Sequence, residues 1–155
     1  MEIKLNLNEF IEKEKPGQVY SIGYEKRSID ELTAILNKHN IVKVIDVRRI
    51  PFSRKKGFSK SELKQHLKEK NIEYISIIEL GPTKSIRENI SQNRTGWSKY
   101  KKDFRKYLKT NKDRIESLIR ENFTKNSCAL CYERDHKRCH RSLLYPYLPY
   151  VVIPL

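Results

Sequence analysis

Short apolar segments alternate with amphipathic segments along most of the chain, and this alternation limits the fold more than any other feature. Apolar runs with the length of a strand occur at 19–24, 42–47, 72–80, 127–132 and 150–153. Between them, apolar residues recur at helical spacing, and Ser28–Glu31 and Ser59–Glu62 both match the capping box that begins a helix. This order predicts an α/β fold, a single domain with a mainly parallel central sheet of about four to five strands and helices on both faces.

The length of 155 residues fits one domain, which we expect at 18–155, preceded by an N-terminal extension at 1–17. No apolar run approaches the roughly 20 residues of a membrane span. The first 17 residues carry four glutamates and lack the apolar centre of a signal peptide. Three cysteines are too few for a disulfide framework. The sequence therefore predicts a cytoplasmic protein and excludes secreted, membrane and fibrous classes.

Positive charge is concentrated in two segments of a chain whose net charge is +14. In 97–125 the basic residues stand among apolar residues at helical spacing, which indicates a solvated helix face. In 48–70, Arg48, Arg49, Arg54, Lys55 and Lys56 follow a predicted buried strand. Ligands of α/β proteins usually bind where such strands end, so we expect these five residues to bind phosphate, with nucleic acid or a phosphorylated small molecule as the partner.

Three acidic residues and one tyrosine also follow predicted strands. Asp46, Glu79 and Glu133 are candidate acid–base or metal-binding groups, and Tyr24 is a candidate stacking or hydrogen-bonding group. The carboxyl ends of parallel strands meet at one edge, so we expect these residues to lie on one rim. A structural ion pair with Arg48 is the alternative role for Asp46.

The segment 128–141 holds three thiols and two imidazoles in fourteen residues. These groups are of the kind that bind zinc, but Cys128 and Cys131 lie on a predicted strand and should face opposite sides, so we assign no metal. Cys131 or Cys139 is a candidate nucleophile, because His140 and Arg141 would favour a thiolate. Arg141 has two alternative roles: it binds an anion, or it holds the last helix against the rim by a structural contact.

These segments together resemble the prokaryotic family called domain of unknown function 488. The matching pieces are Ser21–Ser28, Ile45–Pro51, Ser53–Lys60, Tyr74 with Glu79–Gly81, and Cys131–Glu133 with Cys139–Ser142. The resemblance covers about residues 19–148, and it implies an α/β domain with its signature residues at one rim and no established reaction. Tyr24 stands where the family commonly has His.

The sequence thus supports three hypotheses about function. The first is binding of a phosphate-bearing ligand, above all nucleic acid, at a basic rim pocket, with hydrolysis as a candidate reaction. The second is a thiol-dependent enzyme of sulfur transfer or redox chemistry that uses Cys131 or Cys139. The third is a non-catalytic module that binds nucleic acid or protein. No cofactor or oligomeric state is assigned, and the catalytic candidates are Asp46, Glu79, Glu133, Cys139 and His140.

Overall fold

The computed structural model describes residues 17–90 and 95–155. The N-terminal extension expected at 1–17 lies outside these ranges except for Gly17. Within them, no helix combines the length and the apolar character that crossing a membrane requires.

Five parallel strands form one sheet in the described residues, in the order β3-β2-β4-β1-β5. The strands are β1 (Gln18–Gly23), β2 (Lys43–Asp46), β3 (Glu73–Ser76), β4 (Ser127–Cys131) and β5 (Val151–Pro154). The α-helices are α1 (Ile29–Lys38), α2 (Lys60–Glu69), α3 (Lys84–Arg87), α4 (Trp97–Thr110), α5 (Lys112–Asn122) and α6 (Arg141–Leu144). The predicted α/β fold with a parallel sheet is confirmed.

The sheet is covered on both faces, and β4 shows how its sequence divides between them. Cys128 and Leu130 pack with apolar residues of α1 and α2, including Leu32, on one side. Ala129 and Cys131 pack with α4, α5 and the chain around α6 on the other. Because alternate residues of a strand face opposite ways, a continuous apolar run serves both cores.

The two predicted capping boxes differ in the structure. At α1 the Ser28 hydroxyl accepts from the Glu31 backbone N–H at 3.1 Å, and the Glu31 carboxylate accepts from the Ser28 N–H at 2.6 Å. At α2 the helix begins where expected, but the Ser59 hydroxyl donates to the Glu62 carboxylate instead of capping a backbone N–H. The second box therefore predicted the helix start correctly and its hydrogen bonds incorrectly.

One predicted strand is shorter in the structure, and two helical segments are divided. The strand expected at 72–80 ends at Ser76, because β3 pairs with β2, whose ladder ends at Asp46, and a 3-10 turn, Ile78–Leu80, follows. Residues 97–122 form two helices, α4 and α5, that meet at Asn111. The chain after His140 forms one turn, α6, followed by a 3-10 turn, Tyr145–Tyr147, that contains Pro146.

Two glycines let the loops at the carboxyl edge of the sheet approach closely. A Cβ at Gly23 would lie 1.8 Å from the Glu133 carbonyl oxygen. A Cβ at Gly81 would lie 2.4 Å from the Arg49 backbone nitrogen. Any larger residue would displace backbone, so these glycines hold the loops that carry Glu133 and Arg49 against neighbouring segments.

Candidate functional site

A cavity of about 430 Å³ opens at the carboxyl edge of the sheet, where β1, β2 and β4 end under the beginning of α4. This is the edge at which parallel α/β sheets usually bind ligands. The lining residues are Tyr24, Arg48, Arg49, Ile50, Phe52, Ser53, Pro82, Arg87, Ile90, Trp97, Tyr100, Cys131, Tyr132, Glu133 and His140.

A cluster of two thiols and one imidazole lies at one end of this cavity. The Sγ atoms of Cys131 and Cys139 and a ring nitrogen of His140 all lie within 4.8 Å of one another. Cys131 ends β4, and Cys139 and His140 immediately precede α6, so the fold brings together residues eight and nine positions apart. All three side chains are buried, yet Cys131 and His140 border the cavity.

The orientation of the His140 ring is fixed by the backbone of the neighbouring strand segment. Its Nε2 lies 2.8 Å from the Val47 carbonyl oxygen, which can only accept a hydrogen bond, so Nε2 carries a proton. The other nitrogen, Nδ1, then faces the sulfur atoms, 3.7 Å from Cys131 Sγ and 3.9 Å from Cys139 Sγ. Phe104 packs edge-on against the ring.

Arg141 supports the cluster from behind with a side chain that is only 1% exposed. Its Nε donates to Cys139 Sγ at 3.3 Å, and an NH2 group donates to the Glu133 carbonyl oxygen at 2.6 Å. A buried guanidinium needs a negative partner nearby, and Cys139 is placed to supply one as a thiolate. Arg141 therefore acts on the cluster and does not line the cavity.

The pKa values of the clustered groups shift in opposite directions. Burial by itself raises the pKa of Cys139, but the hydrogen bond from Cys131 and the charges of His140 and Arg141 lower it well below its usual range. The hydrogen bond to Cys139, together with burial, raises the pKa of Cys131. For His140, burial lowers the pKa but the adjacent Cys139 thiolate raises it overall. The hydrogen bond from Arg141 Nε to Cys139 Sγ likewise favours a thiolate at Cys139.

Glu133 adds a carboxylate to the same wall. Its Oε2 lies 3.5 Å from Cys131 Sγ, and burial followed by the charge of Cys139 raises the pKa of Glu133. A carboxyl group with a raised pKa beside a thiol and an imidazole is able to donate or accept a proton in the cavity.

Asp46 and Arg48 instead form a closed network under the cavity. The Arg48 guanidinium donates to both Asp46 carboxylate oxygens, at 2.9 and 2.7 Å, and to the Tyr24 hydroxyl and the Phe58 carbonyl. The Tyr74 hydroxyl donates to Asp46 at 2.5 Å. Asp46 is fully buried, and both of its carboxylate oxygens accept hydrogen bonds. A structural ion pair therefore describes Asp46 better than a free base does. Tyr24 stacks on Phe58 at 4.3 Å, which covers one face of its ring.

Glu79 does not join the other carboxylates. It lies in the 3-10 turn after β3, where Arg114 of α5 donates to both of its oxygens at 2.7 and 3.2 Å. That hydrogen bonding lowers the pKa of Glu79, and neither side chain lines the cavity. Of the three acidic candidates, only Glu133 reaches the cavity.

The basic residues predicted to bind phosphate are also dispersed. Arg48 and Arg49 line the cavity, whereas Lys55 and Lys56 line a separate one between α1 and α2, and Arg54 is exposed. Lys55 donates to the Tyr24 carbonyl at 3.2 Å. Their role in phosphate binding stays a prediction, as do the roles of the other sequence candidates.

Two residues that line the cavity, Arg87 and Tyr100, are not among the candidates from the sequence. Arg87 is the last residue of the single-turn helix α3 and lines the cavity, and its buried Nε has no hydrogen-bond partner among the described residues. Tyr100 belongs to the α4 core stripe and still reaches the wall, next to Trp97. The signal for Arg87 was weak: an arginine shortly after Gly81-Pro82, beyond the end of a strand.

Comparison with known proteins assigns the chain to a family. The family described as Domain of unknown function DUF488 matches residues 28–148, and the chain belongs to it. No curated protein and no solved structure matches the chain.

Proposed function

We propose that this DUF488 protein is an enzyme that acts on a small ligand carrying a phosphate or similar anionic group, with Cys131, Cys139 and His140 as its reactive cluster. The observation that carries the proposal is the composition of one cavity. Arg49 and Arg87 line the same space as Cys131 and His140. A site with anion-binding groups on one wall and nucleophilic or metal-binding groups on another is organised for chemistry as well as for binding.

Arg87 supports an anionic ligand. A buried N–H donor without a partner costs about 1–3 kcal/mol, and an oxygen of a bound phosphate would remove that cost. Arg48 lines the cavity too, but Asp46 already neutralises its charge. Arg49 and Arg87 are therefore the cations that a phosphate would meet.

The cluster supports thiol-dependent chemistry. Arg141 and His140 lie against Cys139 and favour its thiolate, the form of cysteine that attacks electrophiles and binds metals. Cys131 and His140 border the cavity, so a bound ligand would contact this pair directly. Cys139 does not line the cavity, so it would act on the ligand through Cys131 and His140.

The size of the cavity favours a small ligand over a nucleic acid strand. A volume of about 430 Å³ lies within the usual range of small-molecule sites. The exposed Ile50 and Phe52 give the opening an apolar side suited to a ring or hydrocarbon part. A nucleic acid that also used Arg54 and Lys56 would have to extend beyond this cavity.

Phenyl phosphate is a suitable probe for binding, measured by calorimetry on the full chain. Arg87→Met keeps the length of the side chain and removes its charge, so we expect affinity to fall about 10- to 100-fold, the effect of losing a charged hydrogen bond. Arg114→Met is the matched control, because Arg114 pairs with Glu79 outside the cavity. Equal affinity in both variants would contradict the anionic subsite.

Turnover is tested with a panel of nucleotides and phosphorylated sugars, followed by mass spectrometry. We expect a member of the panel to be consumed by the wild type and by Cys128→Ala, but not by Cys139→Ser. Cys128 is the matched control because it is buried on the opposite face of the sheet. Consumption that survives Cys139→Ser, or no consumption of any compound, would contradict the enzyme proposal.

A further inference from the structure

We propose that Cys131, Cys139 and His140 bind a zinc ion, with an open coordination position that faces the cavity. This inference deepens the proposed function, since it identifies how the reactive cluster works. Zinc sites in proteins are built from thiolate and imidazole ligands, and the three donor atoms here lie within 4.8 Å of one another.

The spacing of the donors fits tetrahedral coordination. Zinc lies about 2.3 Å from a thiolate sulfur and about 2.0–2.1 Å from an imidazole nitrogen, which places such a sulfur and nitrogen about 3.6 Å apart. His140 Nδ1 lies 3.7 Å from Cys131 Sγ and 3.9 Å from Cys139 Sγ. The side chains therefore need only small movements to hold the ion.

The surrounding hydrogen bonds are those of a metal ligand set. A histidine that binds a metal through one nitrogen usually donates the other N–H to a carbonyl or carboxylate, and His140 Nε2 donates to the Val47 carbonyl. Arg141 Nε donates to Cys139 Sγ, as outer groups commonly do for ligating sulfur. Both contacts hold the donors in place before any ion arrives.

The ligand set also explains why two thiols are buried together. One divalent cation neutralises two thiolates, so the pair need not share a single proton in a buried site. Cys128, the remaining cysteine, packs on the other side of the sheet and does not take part. The pair that the C-x2-C spacing suggests is therefore not the ligand pair.

Three protein ligands and an open position are the pattern of catalytic zinc. Cys131 and His140 line the cavity, and Glu133 lies on the same wall, 3.5 Å from Cys131 Sγ. A ligand held by Arg49 and Arg87 would thus meet the open position of the metal. Zinc there would polarise a phosphoryl or carbonyl oxygen, or activate a bound water. Glu133 is placed to exchange a proton with that water.

Metal content of the purified full chain is the first test. We expect about one zinc per chain in the wild type and in Cys128→Ala, and loss of zinc in Cys131→Ser and Cys139→Ser. Circular dichroism and thermal unfolding establish whether each variant is folded. Zinc that remains in both serine variants, or is absent from a folded wild type, would overturn the proposal.

Cobalt binding by the wild type is a second test that does not depend on the folding of a variant. We expect zinc-free protein titrated with Co²⁺ to develop the near-ultraviolet absorption of thiolate-to-cobalt charge transfer. His140→Gln should weaken Co²⁺ binding more than about 100-fold, since losing even an outer-shell partner of a metal site costs 10- to 100-fold. Reduced wild type that binds no Co²⁺, but forms a Cys131–Cys139 disulfide when oxidised, would replace the zinc site with a redox dithiol.

Phenyl phosphate binding, measured on the same samples, separates the two proposals. If the metal site is wrong and the anionic subsite is right, the metal-free protein still binds phenyl phosphate and Arg87→Met still weakens it. If the protein binds neither the metal nor phenyl phosphate, the result contradicts the proposed function as well.

Discussion

The Asp46 carboxylate is fully buried and accepts hydrogen bonds from the Arg48 guanidinium and the Tyr74 hydroxyl. Asp46→Asn would leave the buried Arg48 without its counter-charge. We expect the free energy of unfolding to fall by about 3–5 kcal/mol, the usual cost of breaking a buried ion pair, as measured by urea denaturation. Glu79→Gln, which breaks the more exposed pair with Arg114, should change stability little. Unchanged stability in Asp46→Asn would instead favour a free catalytic carboxylate.

Single residues also show where sequence reasoning ends. Glu133 was expected at the rim because it follows a predicted strand, and the family resemblance implied the same place for Cys131 and His140. Strand alternation separated Cys128 from Cys131, but the pattern could not show that Cys139 approaches Cys131, since that depends on how the chain between β4 and α6 folds back. Glu79 follows a strand as Glu133 does, yet the turn after β3 directs it to Arg114.

At the scale of elements, strand and helix identities followed from periodicity, whereas their ends depended on neighbours. The sequence of β3 continues to be apolar after Ser76, but its ladder stops where β2 stops. The bend between α4 and α5 was predictable because Thr110 and Asn111 favour helix ends. Strand order required tertiary contacts that no local pattern encodes.

The beginning of α1 tests the energetic value of its cap. Ser28→Ala removes the hydroxyl that accepts from the Glu31 N–H, so we expect a loss of about 1 kcal/mol in unfolding free energy. Ser59→Ala is the matched comparison at α2, where the hydroxyl caps no backbone group, and its effect should be smaller. Equal losses in urea denaturation would show that the difference between the two caps has no energetic weight.

The junction of β1 with the loop after β4 tests how the cavity wall is held. Gly23→Ala would place a Cβ 1.8 Å from the Glu133 carbonyl oxygen and force backbone to move. We expect a loss of about 1–3 kcal/mol in stability, typical of overpacking, and weaker phenyl phosphate binding. Gly17→Ala, whose nearest neighbours would be atoms of the flexible Lys125 side chain, should be close to wild type in both measurements. A stable Gly23→Ala variant with normal binding would show that Glu133 is not held by this contact.

At the scale of the whole molecule, charge and cavity make separate demands on a ligand. The chain carries a net charge of +14, and part of it belongs to exposed residues outside the cavity lining, including Arg54 and Lys56. Such distributed charge attracts any polyanion at low salt without identifying it. In the cavity, the fixed positions of Arg49 and Arg87 would instead select the phosphate group. Salt would weaken that interaction less than it weakens binding to exposed surface charge.

This separation predicts how nucleic acid should behave. We expect single-stranded DNA, followed by fluorescence anisotropy, to bind weakly and to lose at least tenfold in affinity between about 50 and 200 mM salt, because counterion release drives such binding. Lys55→Ala/Lys56→Ala should weaken it, and Arg87→Met should affect it no more than Arg114→Met does. If binding instead resists salt and is lost specifically in Arg87→Met, the DNA backbone enters the cavity. The ligand would then be nucleic acid, and the reactive cluster would act on a strand instead of a small phosphorylated compound.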